Sequence, residues 1–203
     1  LFVLRGEPHR FGSDIAYNTP RISARRYRAL CRSAPDVRRV GDRSTWMLTF
    51  ATRMTSTAAA PLSLGSPTTR GRDNAGYGGL FWRGPRSFTG GAVLAPGREG
   101  GDELRGERAP WMGFRGVHDG DGAVSTVVMV DDARNAAHPP RWFARSDEFA
   151  CLCPAPFFSE ERAVAPAETL TERYAVLVHD GGLDAAGAGG LATDAARLLA
   201  EEP

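Results

Sequence analysis

Histidine is the side chain whose ordinary pKa suits proton transfer near neutral pH, and two of the four in this chain stand where a strand pattern meets a turn. His118 closes the run Trp111 to Val117 and is followed by Asp119 and Gly120. A histidine beside an acid at a strand end suits a general base, a metal ligand or a plain turn residue. His138 precedes Pro139 and Pro140, which stiffen the path from Asn135 into Arg141, Trp142 and Phe143. Trp142 and Arg145 fall on opposite faces of the strand that follows, so both serve one pocket only where that strand bends or ends. A third polar stretch runs from Asp73 to Arg86 as a glycine-rich approach to Phe81, Trp82 and Arg83. It lacks G-x-x-x-x-G-K-[ST] and no helical pattern follows it, so its glycines fit tight turns better than a phosphate loop. Trp82 and Arg83 would together make an aromatic platform with a hydrogen-bonding fork for a sugar, or a buried tryptophan beside a surface arginine.

Other chemistries find less support. His118, His138 and His179 with Asp119 or Asp180 offer ligand types that zinc or iron accepts, but no H-E-x-x-H or H-x-x-E-H spacing is present and no metal ligand set is assigned. Ser125 lies inside a strand pattern without a G-x-S-x-G elbow. A pair of catalytic carboxylates leaves no spacing signature and stays open. Cys151 and Cys153 share one face of a strand, too poorly placed for an ordinary mutual disulfide, and read as small buried hydrophobes. All 25 basic residues are arginine, which excludes a lysine Schiff base and a P-loop lysine.

The elements that must position these residues are strands. Trp46, Leu48, Phe50 and Met54 alternate with Met47, Thr49, Ala51, Arg53 and Thr55, the period of a half-buried strand. Further strands are expected near 79–83, 92–95, 111–117, 124–130, 142–145, 149–152 and 169–179, punctuated by glycine and proline. The run Val124 to Val130 becomes apolar on both faces and belongs mid-sheet, with Asp131 and Asp132 ending it. Seven or eight strands at this spacing suggest an antiparallel β-sandwich. Residues 183–190 read as a glycine-rich linker, after which Leu191, Ala195, Leu198 and Leu199 recur at the spacing of a short C-terminal helix.

A length of 203 residues with 42% hydrophobic and 24% charged side chains suits one domain, here placed at 41–182. No apolar run has the length of a membrane helix, and the opening LFVLRGEP is too short for a signal peptide, so a cytoplasmic location is expected. Residues 1–40 carry nine arginines against three acids, whereas the remainder is net acidic. That basic arm would be a short helix between Pro20 and Pro35, a nucleic-acid contact, a weakly structured segment, or a truncated or frame-shifted start.

The stretches GSPTTRGRDNAGYGGLFWRGPRSF, PWMGFRGVHDG, STVVMVDDARNAAHPPRWFARSDEFACLCPAPFF and ETLTERYAVLVHDG resemble the bacterial, largely actinobacterial, PmoA-like family, labelled methane oxygenase, over about residues 41–182. The resemblance implies a sandwich similar to the supersandwich of sugar mutarotases, and a sugar dehydrogenase as partner. It places Asn74, Tyr77, Trp82, Arg83, His118, Asp119, Asn135, His138, Trp142 and Arg145 around a cleft. Aromatic planes with Arg, Asn and His suit a polyhydroxylated ligand.

The leading expectation is therefore a carbohydrate-processing or carbohydrate-binding sandwich. His118, with Asp119, and His138 are its catalytic candidates; Arg83 or Arg145 would orient an anionic or hydroxyl group. A non-catalytic module for a ligand or partner, and a metal-dependent oxygenase, are the alternatives. No cofactor is assigned.

Overall fold

The computed structural model describes residues 44–201, together with the backbone of two short strands before them. In chain order the strands are β1 (Ala29–Leu30), β2 (Val37–Arg39), β3 (Thr45–Thr55), β4 (Leu62–Leu64), β5 (Trp82–Arg83), β6 (Ala92–Ala95), β7 (Arg98–Gly100), β8 (Trp111–Val117), β9 (Val124–Asp131), β10 (Arg141–Arg145), β11 (Cys151–Ala155), β12 (Arg162–Val164) and β13 (Thr169–Asp180). Among the described residues one α-helix, α1 (Ala185–Glu201), follows β13.

Period-two patterning builds the main sheet. Its strands run β1-β3-β13-β9-β8-β6-β7 with β2 also on β3, all antiparallel. One face of this sheet carries Met112, Phe114, Val127 and Met129, and packs against Trp142, Ala144 and Leu152 of a smaller sheet ordered β10-β11-β5. The opposite face carries Met47, Leu94, Val128, Val130, Ala175 and Leu177 and receives α1. The expected antiparallel β-sandwich with a C-terminal helix is therefore the observed fold, with β4 and β12 pairing as a separate ribbon. Strands β8 and β9 are buried on both faces because each face has its own covering layer.

Four details depart from the sequence reading. Residues 185–190 are helical, not a linker: the Asp184 Oδ1 atom accepts the Gly187 N–H at 2.8 Å as an N-cap. Ala188, Ala192, Ala195 and Leu199 form the buried stripe, and its small side chains let the helix sit close on the sheet. Strand β11 is displaced to Cys151–Ala155 and includes Pro154; β5 reaches only Cys151 and Leu152, so Pro154 is outside that ladder. Only Trp82 and Arg83 of the expected 79–83 strand are in the ladder. Strands at 29–30 and 37–39 replace a continuous basic helix there, while the rest of that arm lies outside the described residues.

The burial of Cys151 and Cys153 agrees with expectation. Both are fully buried free thiols on the outer face of the small sheet, packed with Phe143 and Phe158. Burial pushes the Cys151 thiol up to about 11 and the Cys153 thiol to about 12, so neither is a thiolate at neutral pH.

Candidate functional site

The β8–β9 hairpin gives the molecule two ends. At the turn end, His118 donates its backbone N–H to Ala123, and its Nε2 lies 2.9 Å from the Ser125 hydroxyl. Its ring meets Phe88 edge-on at 5.0 Å. Asp119 is exposed and forms no hydrogen bond or ion pair with another described residue. His118 thus has no carboxylate partner among the described residues, and the expected His118 and Asp119 pair does not form.

The other end holds a polar cluster inside the sandwich. Asp131 extends β9 in phase with Val127 and Met129, so its side chain turns into the space between the sheets rather than ending the strand. Glu172 and Tyr174 occupy the inward phase of β13, and Tyr174 pairs with Asp131 across the ladder. Asp131, Glu172 and Tyr174 are all buried. His138 Nδ1 lies 2.7 Å from Asp131 Oδ2, with its side chain 26% exposed. Asn135 fixes the carboxylate from the other side, donating from Nδ2 to Asp131 Oδ1 at 2.7 Å and to the Arg173 carbonyl at 2.7 Å. Its Oδ1 accepts the Arg173 N–H at 2.8 Å, which locks the amide onto β13.

Electrostatics set this cluster apart. Burial raises the Asp131 carboxyl, with the hydrogen bonds from Asn135 and His138 opposing that rise. Burial and the Asp131 charge push Glu172 up to about 7, while the Tyr174 hydroxyl, donating to it at 3.3 Å, lowers it. Burial likewise drives Tyr174 far above the usual phenol range, so it stays a proton donor. A carboxyl poised near neutrality behind a His–Asp pair is what acid–base sites use.

At the same end of the sandwich a cleft of about 620 Å³ is lined by Asn74, Arg105, Gly106, Glu107, Arg108, Arg141, Phe158 and Ser159, and by none of the cluster's own side chains. Its wall is joined to the His138 loop: Arg108 Nη1 donates to the Pro139 carbonyl at 3.0 Å, and the backbones of Arg108 and Arg141 form a β-bridge. Asn74 adopts φ +53°, a left-handed conformation that asparagine tolerates.

The remaining expected site residues are scattered. Trp142 is fully buried and donates its indole N–H to the Ala109 carbonyl at 2.8 Å, which makes it core rather than a ligand platform. Trp82 packs inward on Phe88 and Phe114, at 6.3 and 5.6 Å between ring centroids, so the sugar platform with Arg83 does not form. Arg83 emerges on the opposite strand face with its guanidinium 3.8 Å over Phe149. Tyr77 lies edge-on against Phe143 at 5.3 Å, covering the outer face of the small sheet. Arg145 is held by Asp102 at 3.3 Å and Glu148 at 2.8 Å, away from His138 at the other end of β10. Arg83, Arg86, Glu148 and Phe149 line a second cleft there, of about 560 Å³. Of the ten expected positions, Asn74, Asn135 and His138 come to one end of the sandwich.

Several residues of that end escaped the sequence reading. Asp131 had a signal, its phase with Val127 and Met129, and so did Glu172, the one charged residue in the inward phase of β13 between Leu170 and Val178. Arg105, Arg108 and Arg141 had none, because only the fold gathers them.

A family model matches residues 30–193, beginning within the basic arm and ending inside α1. The chain belongs to DUF6807, a family of unknown function. This overturns the resemblance to the PmoA-like family: the family shown is DUF6807, and the oxygenase activity and dehydrogenase partner drawn from that resemblance lose their basis. No curated protein and no solved structure matches the chain. Among the described residues, no group of three or more His, Cys, Asp or Glu side chains could hold a metal ion. No described helix is long and apolar enough to cross a membrane.

Proposed function

We propose that this member of the family is an acid–base enzyme acting on a small polyhydroxylated ligand of the carbohydrate class, with His138 as the catalytic residue. The observation that carries this reading is the 2.7 Å contact of His138 Nδ1 with buried Asp131, itself fixed by Asn135. With Asp131 ionised, Nδ1–H donates to it and the Nε2 lone pair is left to take a proton from a ligand hydroxyl or an acidic C–H. The imidazolium that forms is stabilised by the Asp131 charge. Asp131 and Asn135 are positioning residues in this scheme. Glu172 and Tyr174 meet no open surface and act through the charge of Asp131: ionisation of Glu172 opposes ionisation of its neighbour.

Cleft size supports a monosaccharide-sized ligand: about 620 Å³ falls within the range of small-molecule sites. The test follows aldoses, ketoses and sugar acids by proton NMR in D2O, reading exchange of ligand protons with solvent and anomeric or epimeric conversion. The expected outcome is catalysis that falls about 10²- to 10⁴-fold in His138→Asn with the thermal midpoint retained. Full activity in that variant, or sugar binding with no conversion of any ligand, overturns it; the second result would instead favour a non-catalytic binding module.

A further inference from the structure

We infer that the cleft bounded by Arg105, Arg108 and Arg141 is an anion subsite, and that its ligand carries a carboxylate or phosphate oxyanion. Three guanidiniums line this cleft against one carboxylate, Glu107, which is already paired with Arg98 at 2.9 Å. Among the described residues neither Arg108 nor Arg141 forms an ion pair; each is instead anchored through Nη1 on a backbone carbonyl, Pro139 at 3.0 Å and Gly106 at 2.7 Å. Arg105 shares Asp102 with Arg145. Anchoring through Nη1 fixes the plane of the guanidinium and leaves Nη2, the group with which arginine receives planar or tetrahedral oxyanions, without a partner among the described residues.

A second observation points the same way. The Nε donors of Arg105 and Arg141 are buried without a hydrogen-bond partner. Buried donors are seldom left unpaired, because their desolvation goes uncompensated. An oxyanion held at the remaining Nη donors supplies charge compensation to these guanidiniums and leaves their anchors intact. Arg108 and Arg141, gathered without counter-charge, repel one another, and a bound oxyanion removes that repulsion as well. Asn74 adds a neutral amide at the rim and Phe158 an apolar wall, so the remainder of a small polar molecule has surfaces to meet.

Combined with the proposed reaction, on which this last step rests, the substrate class becomes an acidic or phosphorylated sugar. The anion subsite itself does not depend on His138. The experiment titrates inorganic phosphate, gluconate and neutral glucose into the full chain by calorimetry, using wild type, Arg108→Gln, Arg141→Gln, His138→Asn and, as a control in the second cleft, Arg86→Gln. Thermal midpoints confirm that each variant is folded. We expect phosphate or gluconate to bind, weakening about tenfold in Arg108→Gln and Arg141→Gln and weakening with added salt, while Arg86→Gln matches wild type. Gluconate alone identifies a sugar acid, and phosphate alone a phosphorylated ligand; either supports the subsite. Binding that survives in His138→Asn supports it even where no substrate is converted, so the two readings fail separately. Absence of anion binding, equal binding of glucose, or unchanged affinity in both cleft variants overturns it.

Discussion

The two ends of the sandwich carry similar residues and treat them differently. Each has a histidine next to a β8–β9 strand terminus and an arginine-bearing cleft. At the turn end, His118 rests on the Ser125 hydroxyl and the Phe88 ring, and Asp119 faces solvent. Two of its arginines are matched, Arg145 with Asp102 and Glu148 and Arg115 with Glu99 at 2.9 Å, whereas Arg83 and Arg86, which line its cleft, form no ion pair among the described residues. At the far end, His138 shares a buried carboxylate, and Arg108 and Arg141 have no counter-charge among the described residues. Neighbours in sequence give an acid and a histidine proximity. Burial and a fixed third partner give them a chemistry.

The sharpest test of this difference exchanges the histidines in parallel. His138→Asn should lose about 10²- to 10⁴-fold in turnover and His118→Asn should lose almost none, measured under saturating ligand. Equal losses would erase the distinction between the ends.

The next effect is on stability. Glu172 has its pKa raised from 4.5 to about 7, so the folded state holds a proton that the unfolded state has released. Stability should therefore fall as pH rises from 4.5 to about 7, by about 3 kcal/mol, and then level off. Glu172→Gln should flatten that slope and raise the thermal midpoint at pH 8; an unchanged profile would remove Glu172 from the buried cluster.

The smallest effect belongs to the turn end. Burial works to raise the Asp102 carboxyl, but the N–H groups of Ser146 and Asp147 and the hydrogen bond from Arg145 outweigh it and hold it low. Its contribution is present above the ordinary aspartate range and is lost as pH falls below it. Asp102→Asn should cost about 1 kcal/mol in denaturant unfolding near neutral pH, with the loss shrinking in acid. Asp119→Asn should stay within about 0.5 kcal/mol of wild type.

Much of the scaffold was legible in the sequence because glycine and proline punctuate short apolar or alternating runs. The strands at 92–95, 111–117 and 169–180 follow from that punctuation almost residue for residue. The first turns of helix α1 resemble a linker in sequence because of the glycines at 187, 189 and 190, whereas a helix packed on a sheet uses small residues for close approach. The site was legible in part. His138 and Asn135 stand out as polar residues in a proline-stiffened loop, but the aromatic and arginine candidates were misjudged wherever one residue of parity decides between core and surface: Trp82 points in and Arg83 out.

Sequence by itself determined the strand periodicity, the inward phase that Asp131 and Glu172 share with their apolar neighbours, and the absence of lysine chemistry. Only the tertiary structure decided which histidine acquires a carboxylate partner and which arginines converge. Those depend on segments from Asn74 to Tyr174 being brought to one end of a sheet, and no local pattern records a contact between residues so far apart in the chain.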